Sequence, residues 1–578
     1  MKDDLLINIS TENGTGSQTA NKILTRSLLL GGYHVSSKNL FPSNIAGLPT
    51  NYKIRISSKS FKSFSKIDST DIFIAFNKKT LDNDLKNLSS DTRVIINKDF
   101  KYQDSNNKIN LLELPCRSLT KELHSSVSTR KLLYNMLYVG ATLKALGLEL
   151  KFGKEALENT LSHLREELKQ ANVNALSVGY ENSFDKPVFL LQRPDSNPQK
   201  AIIDGNSAMA LGFLDGGAQV FTWYPITPST SVAETFESMT QTLDTKRAVL
   251  QCEDELSAVT ATLGAGWAGA RSVTATSGPG LSLMQESIGL GYFTETPFVV
   301  ADVQRAGPST GLPTRTAQGD LILCYYSSHG DTIHPILIPS NPQEAYGDSF
   351  ASLNLAQDLQ TPVFILSDLD LGMNEWSTSE IVQDKSTPSV GELQIDSASD
   401  FKRFSNESLV PKRSLPRLSD SSTAYFTRGS GHDEYGRYTE DPDAYNDKLL
   451  RLKNKILRGR SVSSFFPKDE INESKSKEYS LVYFGTTAQI KDELLSLLNE
   501  YDFSTYQIRS LPFQDDLKNF LNQHKVNFVL EQNRDGQMAR IIRSEIESNT
   551  LIKSCTHFNG LPADPKGFYN QIIKGLKK

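Results

Sequence analysis

Cysteine is scarce. Four occur in 578 residues, Cys116, Cys252, Cys324 and Cys555, and none lies within four residues of another. No CxxC ribbon, zinc knuckle or ferredoxin-like ligand run can be assembled from such a set. An iron–sulfur cluster working with this chain must therefore be carried by a partner, and the scarcity fits a reducing compartment. Long apolar runs are missing too. The most apolar stretches, Phe298–Ala301 and Pro362–Leu366, fall far short of the about 20 residues a membrane helix needs, and read as buried strands. The start, Met1-Lys2-Asp3-Asp4, lacks the basic and apolar parts of a secretory signal, so a soluble, cytoplasmic protein is expected. Nor is there a surplus of one charge: 62 Lys and Arg stand against 67 Asp and Glu. That balance argues against a dedicated nucleic-acid binder. What remains is an ordinary globular composition, 38% apolar, long enough for three or four domains at about 150 residues each.

Apolar runs and breakers suggest the organisation. Up to about residue 192, short strands at Leu5–Ile9, Ile72–Phe76 and Arg93–Ile96 alternate with helices at Ala20–Leu30 and Glu155–Gln170. This predicts an α/β domain with a parallel sheet. The polar, Pro-containing stretch 192–199 reads as a linker. A second α/β domain, about 200–385, is rich in Gly and Ala, with strands at Val220–Trp223, Val273–Ala275 and Phe298–Ala301. Residues 386–477 carry Ser, Asp, Lys and Arg with little apolar periodicity, and predict a long irregular connection that ends in a charged helix near Leu449–Leu457. From 478 to 578, strands at Tyr479–Phe484 and Asn527–Leu530 and a helix at Ile490–Asn499 predict a third α/β domain.

Three loops could carry chemistry. WYPITPST (223–230) follows an apolar strand, and its two flanking prolines stiffen the chain around Ile226 and Thr227. It either caps the helix Val232–Met239 through Ser229 or Thr230, or presents Thr227 at a strand end, where open α/β sheets bind ligands. QCEDE (251–255) places three acids before an Ala/Gly-rich helix. They either complement the helix dipole at the surface or aim one carboxylate into a buried site, where its pKa rises and it can share a proton with a ring nitrogen. ATSGPGL (275–281) and RAGPSTGLPTRT (305–316) are constrained by Gly and Pro, and the second is bounded by Arg305 and Arg315. Arg315 either sits in a surface turn or grips a carboxylate with its planar fork. The Gly14-Thr15-Gly16 loop offers only part of a dinucleotide fingerprint, because Thr19 stands where the third glycine belongs.

Taken together, WYPITPSTSVAE, QCEDE, TSGPG (276–280), RAGPSTGLPTRTAQGD (305–320), GHDEYG (431–436) and EQNRDGQ (531–537) occur in the order found in one family. The chain resembles the 2-oxoacid:ferredoxin oxidoreductases, and within them the alpha subunit of the 2-oxoglutarate enzyme with a fused N-terminal gamma domain. FPSNIAGLPT (41–50), followed by Arg55, resembles that gamma portion. The resemblance implies a gamma-type domain, a pyrimidine-type thiamin-diphosphate-binding domain and a transketolase C-terminal-like domain. It implies CoA-dependent oxidative decarboxylation of 2-oxoglutarate to succinyl-CoA and CO₂, with electrons to ferredoxin. It also implies a beta subunit holding the diphosphate, its Mg²⁺ and the iron–sulfur cluster, in an α2β2 assembly. Mapped onto the motifs, Glu255 would bond the aminopyrimidine ring, with Glu253 as the runner-up. Tyr224, Pro225 and Ile226 would flank the cofactor, Thr227 would contact the substrate's reacting end, and Arg315 would meet a substrate carboxylate. Pyruvate or another 2-oxoacid is the alternative substrate. A non-catalytic assembly homologue is the alternative role, and the joint presence of Thr227, Glu255 and Arg315 speaks against it.

Overall fold

A computed structural model describes all residues except 1, 2, 13, 41–49, 60–69, 87, 103–109, 195–200, 242, 244, 245, 385, 417 and 578. The gamma-like FPSNIAGLP segment and most of the expected 192–199 linker lie outside the described residues. The chain divides into two compact units, Met1–Ile203 with Met373–Glu380, and Asp204–Gly372 with Ile381–Lys578.

The first unit holds an eight-stranded sheet. Four strands, Asn110–Leu114, Arg93–Asn97, Ile72–Phe76 and Asp4–Thr11, run parallel. Beyond Asp4–Thr11 the ladder turns antiparallel through Thr50–Ser57, His34–Leu40 and Glu375–Thr378. The sheet is therefore mixed, not parallel as the alternation predicted. Only nine residues separate His34–Leu40 from Thr50–Ser57, too few for the crossover of a dozen or more that parallel neighbours require. The predicted Glu155–Gln170 helix is also two helices, Leu150–Thr160 and Glu166–Glu181. The break lets Glu166–Glu181 lie against the helix Val127–Ala145 at a pair of glycines. A Cβ on Gly140 would meet Tyr180 N at 2.7 Å, and one on Gly179 would meet Leu137 Cα at 2.6 Å. One straight helix would have carried its second half away from that crossing.

The second unit contains two sheets. The larger runs in the order Ser510–Leu511, Ile336–Leu337, Pro362–Asp368, Phe298–Gln304, Ser272–Thr276, Val220–Trp223, Ala248–Gln251, and only Ser510–Leu511 is antiparallel to its neighbour. Phe298–Gln304 and Pro362–Asp368 are buried at every position, as parallel strands covered on both faces must be. The smaller sheet joins Glu470–Asn472, Phe503–Ile508, Tyr479–Phe484, Val526–Glu531 and Leu551–Thr556. One apolar core spans both, with Val259, Phe298 and Ile336 from the first packed with Val482, Tyr506 and Met538 from the second. The predicted helix at Ile490–Asn499 is a 3₁₀ turn, Gly485–Ile490, leading into Lys491–Leu497.

The irregular stretch 386–477 belongs to this second unit. Its helix Pro442–Leu457 starts on Asp441, whose side chain accepts from Ala444 N. The helix sends Arg451 and Lys455 inward onto Glu295. Arg451 donates to both carboxylate oxygens at 2.5 and 2.9 Å, and Lys455 Nζ donates at 2.8 Å. Arg403 donates to the Glu295 carbonyl at 2.9 Å. Burial alone would raise the Glu295 pKa, but the surrounding cations outweigh it and hold the carboxyl well below its usual range. Glu295 also takes φ +55°, a left-handed conformation rare for a residue with a Cβ. A polar connection is thus fastened to the core by charges rather than by apolar periodicity.

Candidate active site

The motif loops gather at the carboxyl ends of the larger sheet's parallel strands, where the topology opens a crevice. After Val220–Trp223 the chain enters the YPITP loop. Ser229 Oγ donates to Ile226 O at 3.0 Å, so this hydroxyl stabilises the loop and does not cap the helix Thr230–Thr240. Asn206 Nδ2 donates to Pro228 O and to Ser231 Oγ, each at 2.8 Å. Tyr224, Ile226 and Thr227 are half-buried, and Pro225 is exposed. The Thr227 hydroxyl makes no hydrogen bond among the described residues. Its carbonyl accepts from Arg305 Nη1 at 2.7 Å.

The three acids separate cleanly. Glu253 is exposed. Asp254 caps the helix Glu255–Trp267, its carboxylate accepting from Ser257 N at 2.7 Å, and this backbone hydrogen bond holds its pKa down. Glu255, the first helical residue, is buried to 8% exposure. Its carboxylate meets no hydrogen-bond donor among the described residues. It lies against Gly280, where a Cβ would come within 2.8 Å of Glu255 Cγ and would also strike Thr276 Oγ1. The glycine of TSGPG is therefore required to admit that carboxylate. The structure thus supplies an acid facing away from its own chain's donors, and exposure argues for Glu255 over Glu253.

A cavity of about 770 Å³ opens against the Gly278-Pro279 turn that leads to Gly280, and neither Glu255 nor Thr227 is on its wall. Its wall includes Gly278, Arg305, Thr310 and Asp320 from the larger sheet's loops, and Asn533 and Arg534 from the EQNRDGQ segment. Arg305 follows the strand Phe298–Gln304 directly. It donates to Thr227 O and to Thr310 O, while its buried Nε has no acceptor. Burial lowers its pKa, opposed by the negative charges of Asp320 and Glu255. Arg315, the arginine singled out from sequence, is placed differently. Its guanidinium folds back on Thr314, at 2.8 Å from the carbonyl and 3.1 Å from Oγ1. Its stem rests on Gly560, and it is absent from the cavity wall. Thr227, Glu255 and Arg305 thus come together, and Arg315 stands apart on the same loop. Arg305 was legible as the residue ending a fully buried strand, yet the sequence reading passed it over.

The remaining motifs divide. In EQNRDGQ, Glu531 is buried and accepts from Met538 N, Ala539 N, Asn533 and Ser554, closing the turn into the helix Gln537–Glu545. Gln537 and Asn533 tie that turn to Gly319 O and Gln318 O at 2.6 and 3.1 Å. GHDEYG is a bracket away from the cavity. Asp433 accepts from Tyr435 N and Arg437 N, and buried His432 meets Lys448.

A parallel sheet whose strand ends present a buried carboxylate, a stiff YPITP loop and an inward arginine marks an enzyme unit of the thiamine-diphosphate-binding class. Residues 212–441 match the family described as "Pyruvate flavodoxin/ferredoxin oxidoreductase, thiamine diP-bdg", and residues 7–182 match "Pyruvate ferredoxin/flavodoxin oxidoreductase". Subunit alpha of 2-oxoacid:ferredoxin oxidoreductase 2 from Aeropyrum pernix is 29% identical, over 97% of this chain and 96% of that protein. The 2-oxoglutarate synthase subunit KorA of Methanocaldococcus jannaschii is 35% identical, over 56% of this chain and 86% of that protein. Among solved structures, the 2-oxoglutarate:ferredoxin oxidoreductase of Magnetococcus marinus, with 2-oxoglutarate, coenzyme A and succinyl-CoA bound, superposes with a TM-score of 0.88 at 27% identity. The match covers 99% of this chain and 100% of that one. The chain belongs to the 2-oxoacid:ferredoxin oxidoreductase family, as an alpha-type subunit, and is an enzyme of the oxidoreductase class.

Proposed function

We propose that this chain is the alpha subunit of a 2-oxoglutarate:ferredoxin oxidoreductase. With a beta subunit it decarboxylates 2-oxoglutarate, passes two electrons through the partner's iron–sulfur cluster to ferredoxin, and forms succinyl-CoA from CoA. The observation that carries the reading is Glu255: a buried carboxylate, without a donor from its own chain, packed on Gly280 and within electrostatic reach of the cavity arginine Arg305. This fits an aminopyrimidine ring, whose nitrogen can share a proton with a desolvated acid. Thiamine diphosphate, when bound, supplies the carbon nucleophile. The residues here supply the rest. Glu255 takes the ring's hydrogen bond, Tyr224, Pro225 and Ile226 wall the cofactor, and Thr227 offers a free hydroxyl at the substrate. Arg305 pairs with a carboxylate in the cavity, the role the sequence reading gave to Arg315.

The partner is supported by exposed side chains on the same elements. Leu250, Leu256, Leu283 and Leu312 are 47% exposed or more, apolar surface that a subunit interface would cover. No helix among the described residues is long and apolar enough to cross a membrane. The choice of 2-oxoglutarate is supported by the names of the KorA relatives and of the Magnetococcus structure. Co-expression with the beta chain, followed by CoA-dependent viologen reduction with a panel of 2-oxoacids, tests it. The highest kcat/KM is expected for 2-oxoglutarate. A preference for pyruvate would move the chain to that branch, and no turnover with any 2-oxoacid would overturn the assignment.

A further inference from the structure

One carboxyl group in the cavity wall, Asp320, and a second one buried behind it, Asp302, are left over by the reading above. Asp302, on the buried strand Phe298–Gln304, is fully buried. One of its oxygens has no partner, and the other receives only a weak hydrogen bond from Cys324 Sγ at 3.8 Å. Asp320 lines the cavity. Its backbone N–H donates to Gln304 Oε1 at 3.0 Å, while its buried Oδ2 has no partner. Gly278 leaves the room it occupies, since a Cβ there would come within 2.6 Å of that oxygen. Nearby, Arg305 reaches the cavity with its Nε unpaired.

The charges facing Asp320 are few. Asp302 and the Cys324 thiol stand behind it, Arg305 beside it, and Glu255 beyond Arg305. Arg534 and Asp535 lie on the cavity wall contributed by the smaller sheet, paired with each other at 2.7 Å. Two buried carboxyls against one guanidinium cannot both ionise cheaply. Burial raises Asp320 to about 7, with Arg305 opposing. Burial and the Asp320 charge raise Asp302 well above the ordinary range. At neutral pH the pair retains a proton.

We propose that Asp320, backed by Asp302, is a substrate-contacting residue that stays protonated in the complex and donates its O–H to the 2-oxoacid carboxylate held by Arg305. This rests on the functional reading above. No bond other than hydrogen bonds forms or breaks, and the proton stays on the aspartate pair. An anion arriving beside the pair raises its proton affinity further, so substrate binding and protonation support each other.

The test is the pH dependence of KM for 2-oxoglutarate in the assembled alpha–beta enzyme, by CoA-dependent viologen reduction from pH 6 to 9. In the wild type KM should climb above neutrality, approaching tenfold per pH unit. Asp320→Asn, a permanent neutral donor, should flatten the profile. Asp302→Asn replaces a group that is already neutral while Asp320 titrates, so it should leave the climb near its wild-type position and serves as the control for a merely structural effect. Turnover with a flat wild-type KM, or an Asp320→Asn profile that superimposes on the wild type, would overturn this inference alone. Absence of 2-oxoacid turnover in the wild-type assembly would overturn the functional reading and this inference with it.

Discussion

Glu295→Gln is the sharpest test of how the second unit is held. Glu295 and Lys455 side chains are both 0% exposed and Arg451 is 5% exposed. The carboxylate receives three donors from the two cations, and Arg403 donates to the Glu295 backbone carbonyl. Glutamine is nearly the same size, so no cavity forms. It keeps one acceptor oxygen, turns an NH₂ toward a cation, and leaves the buried positive charges without their counter-ion. Removing one partner of a buried pair in this way costs about 3–5 kcal/mol. The unit has roughly 370 residues, so its unfolding entropy is about 0.8 kcal/mol/K and the loss corresponds to a Tm drop of about 4–6 °C. Differential scanning fluorimetry against Glu407→Gln, an exposed neighbour expected within about 0.5 kcal/mol of wild type, reads the difference. The pH dependence adds a sign. Lys455 is already lowered to about 8, by burial, with Glu295 opposing. Without Glu295 its folded pKa falls further below its unfolded value. The unfolded chain then binds more protons at neutral pH, and stability rises as pH rises. The gap to wild type should narrow from pH 7 to 9. A Tm for Glu295→Gln within 1 °C of the Glu407→Gln control would refute the account.

The other predictions concern the site. Glu255→Gln in the assembled enzyme should cut kcat at least 100-fold while gel filtration shows the heteromer intact; near-normal turnover would place the proton-sharing acid elsewhere. Arg305→Ala should raise KM for 2-oxoglutarate by tenfold or more, through loss of a charge-assisted contact, and Arg315→Ala should have the smaller effect. The reverse order would restore the sequence-based assignment. Gly280→Ala should lower activity about as severely as the glutamate substitution, because the added methyl meets Glu255 and Thr276. Wild-type kinetics would show that the carboxylate has more freedom than its packing indicates.

Much of the site was legible because its residues sit at strand ends bounded by Gly and Pro, where spacing dictates position. Glu255 could be narrowed to an acidic triplet from sequence. The resemblance put Glu255 ahead of Glu253, and the helix start supplies the physical reason, giving Asp254 the cap and turning Glu255 inward. The resemblance put Arg315 forward, but which arginine of RAGPSTGLPTRT faces the cavity depends on how the loop folds back through Ala306 N to Arg315 O. Asp302 lies just past the predicted strand Phe298–Ala301, and nothing local announces Asp320 as its neighbour 18 positions on. The mixed sheet escaped because strand direction is set by connection length and not by the alternation of apolar residues. The stretch 386–477 was read as loose because its anchors are Arg and Lys. Their burial is decided by one glutamate more than 100 residues upstream.

The scattered cysteines have a practical corollary. Cys116, Cys324 and Cys555 are buried, and burial pushes each thiol up, Cys555 to about 12. Thiolate is the species that alkylates, so maleimides should pass these three by in the folded chain. Cys252 alone is half-open to solvent, on the turn between the exposed strand Ala248–Gln251 and the helix that begins at Glu255. The native sequence therefore provides a single labelling position three residues from the buried acid, where a fluorophore would report whatever surface closes over that turn.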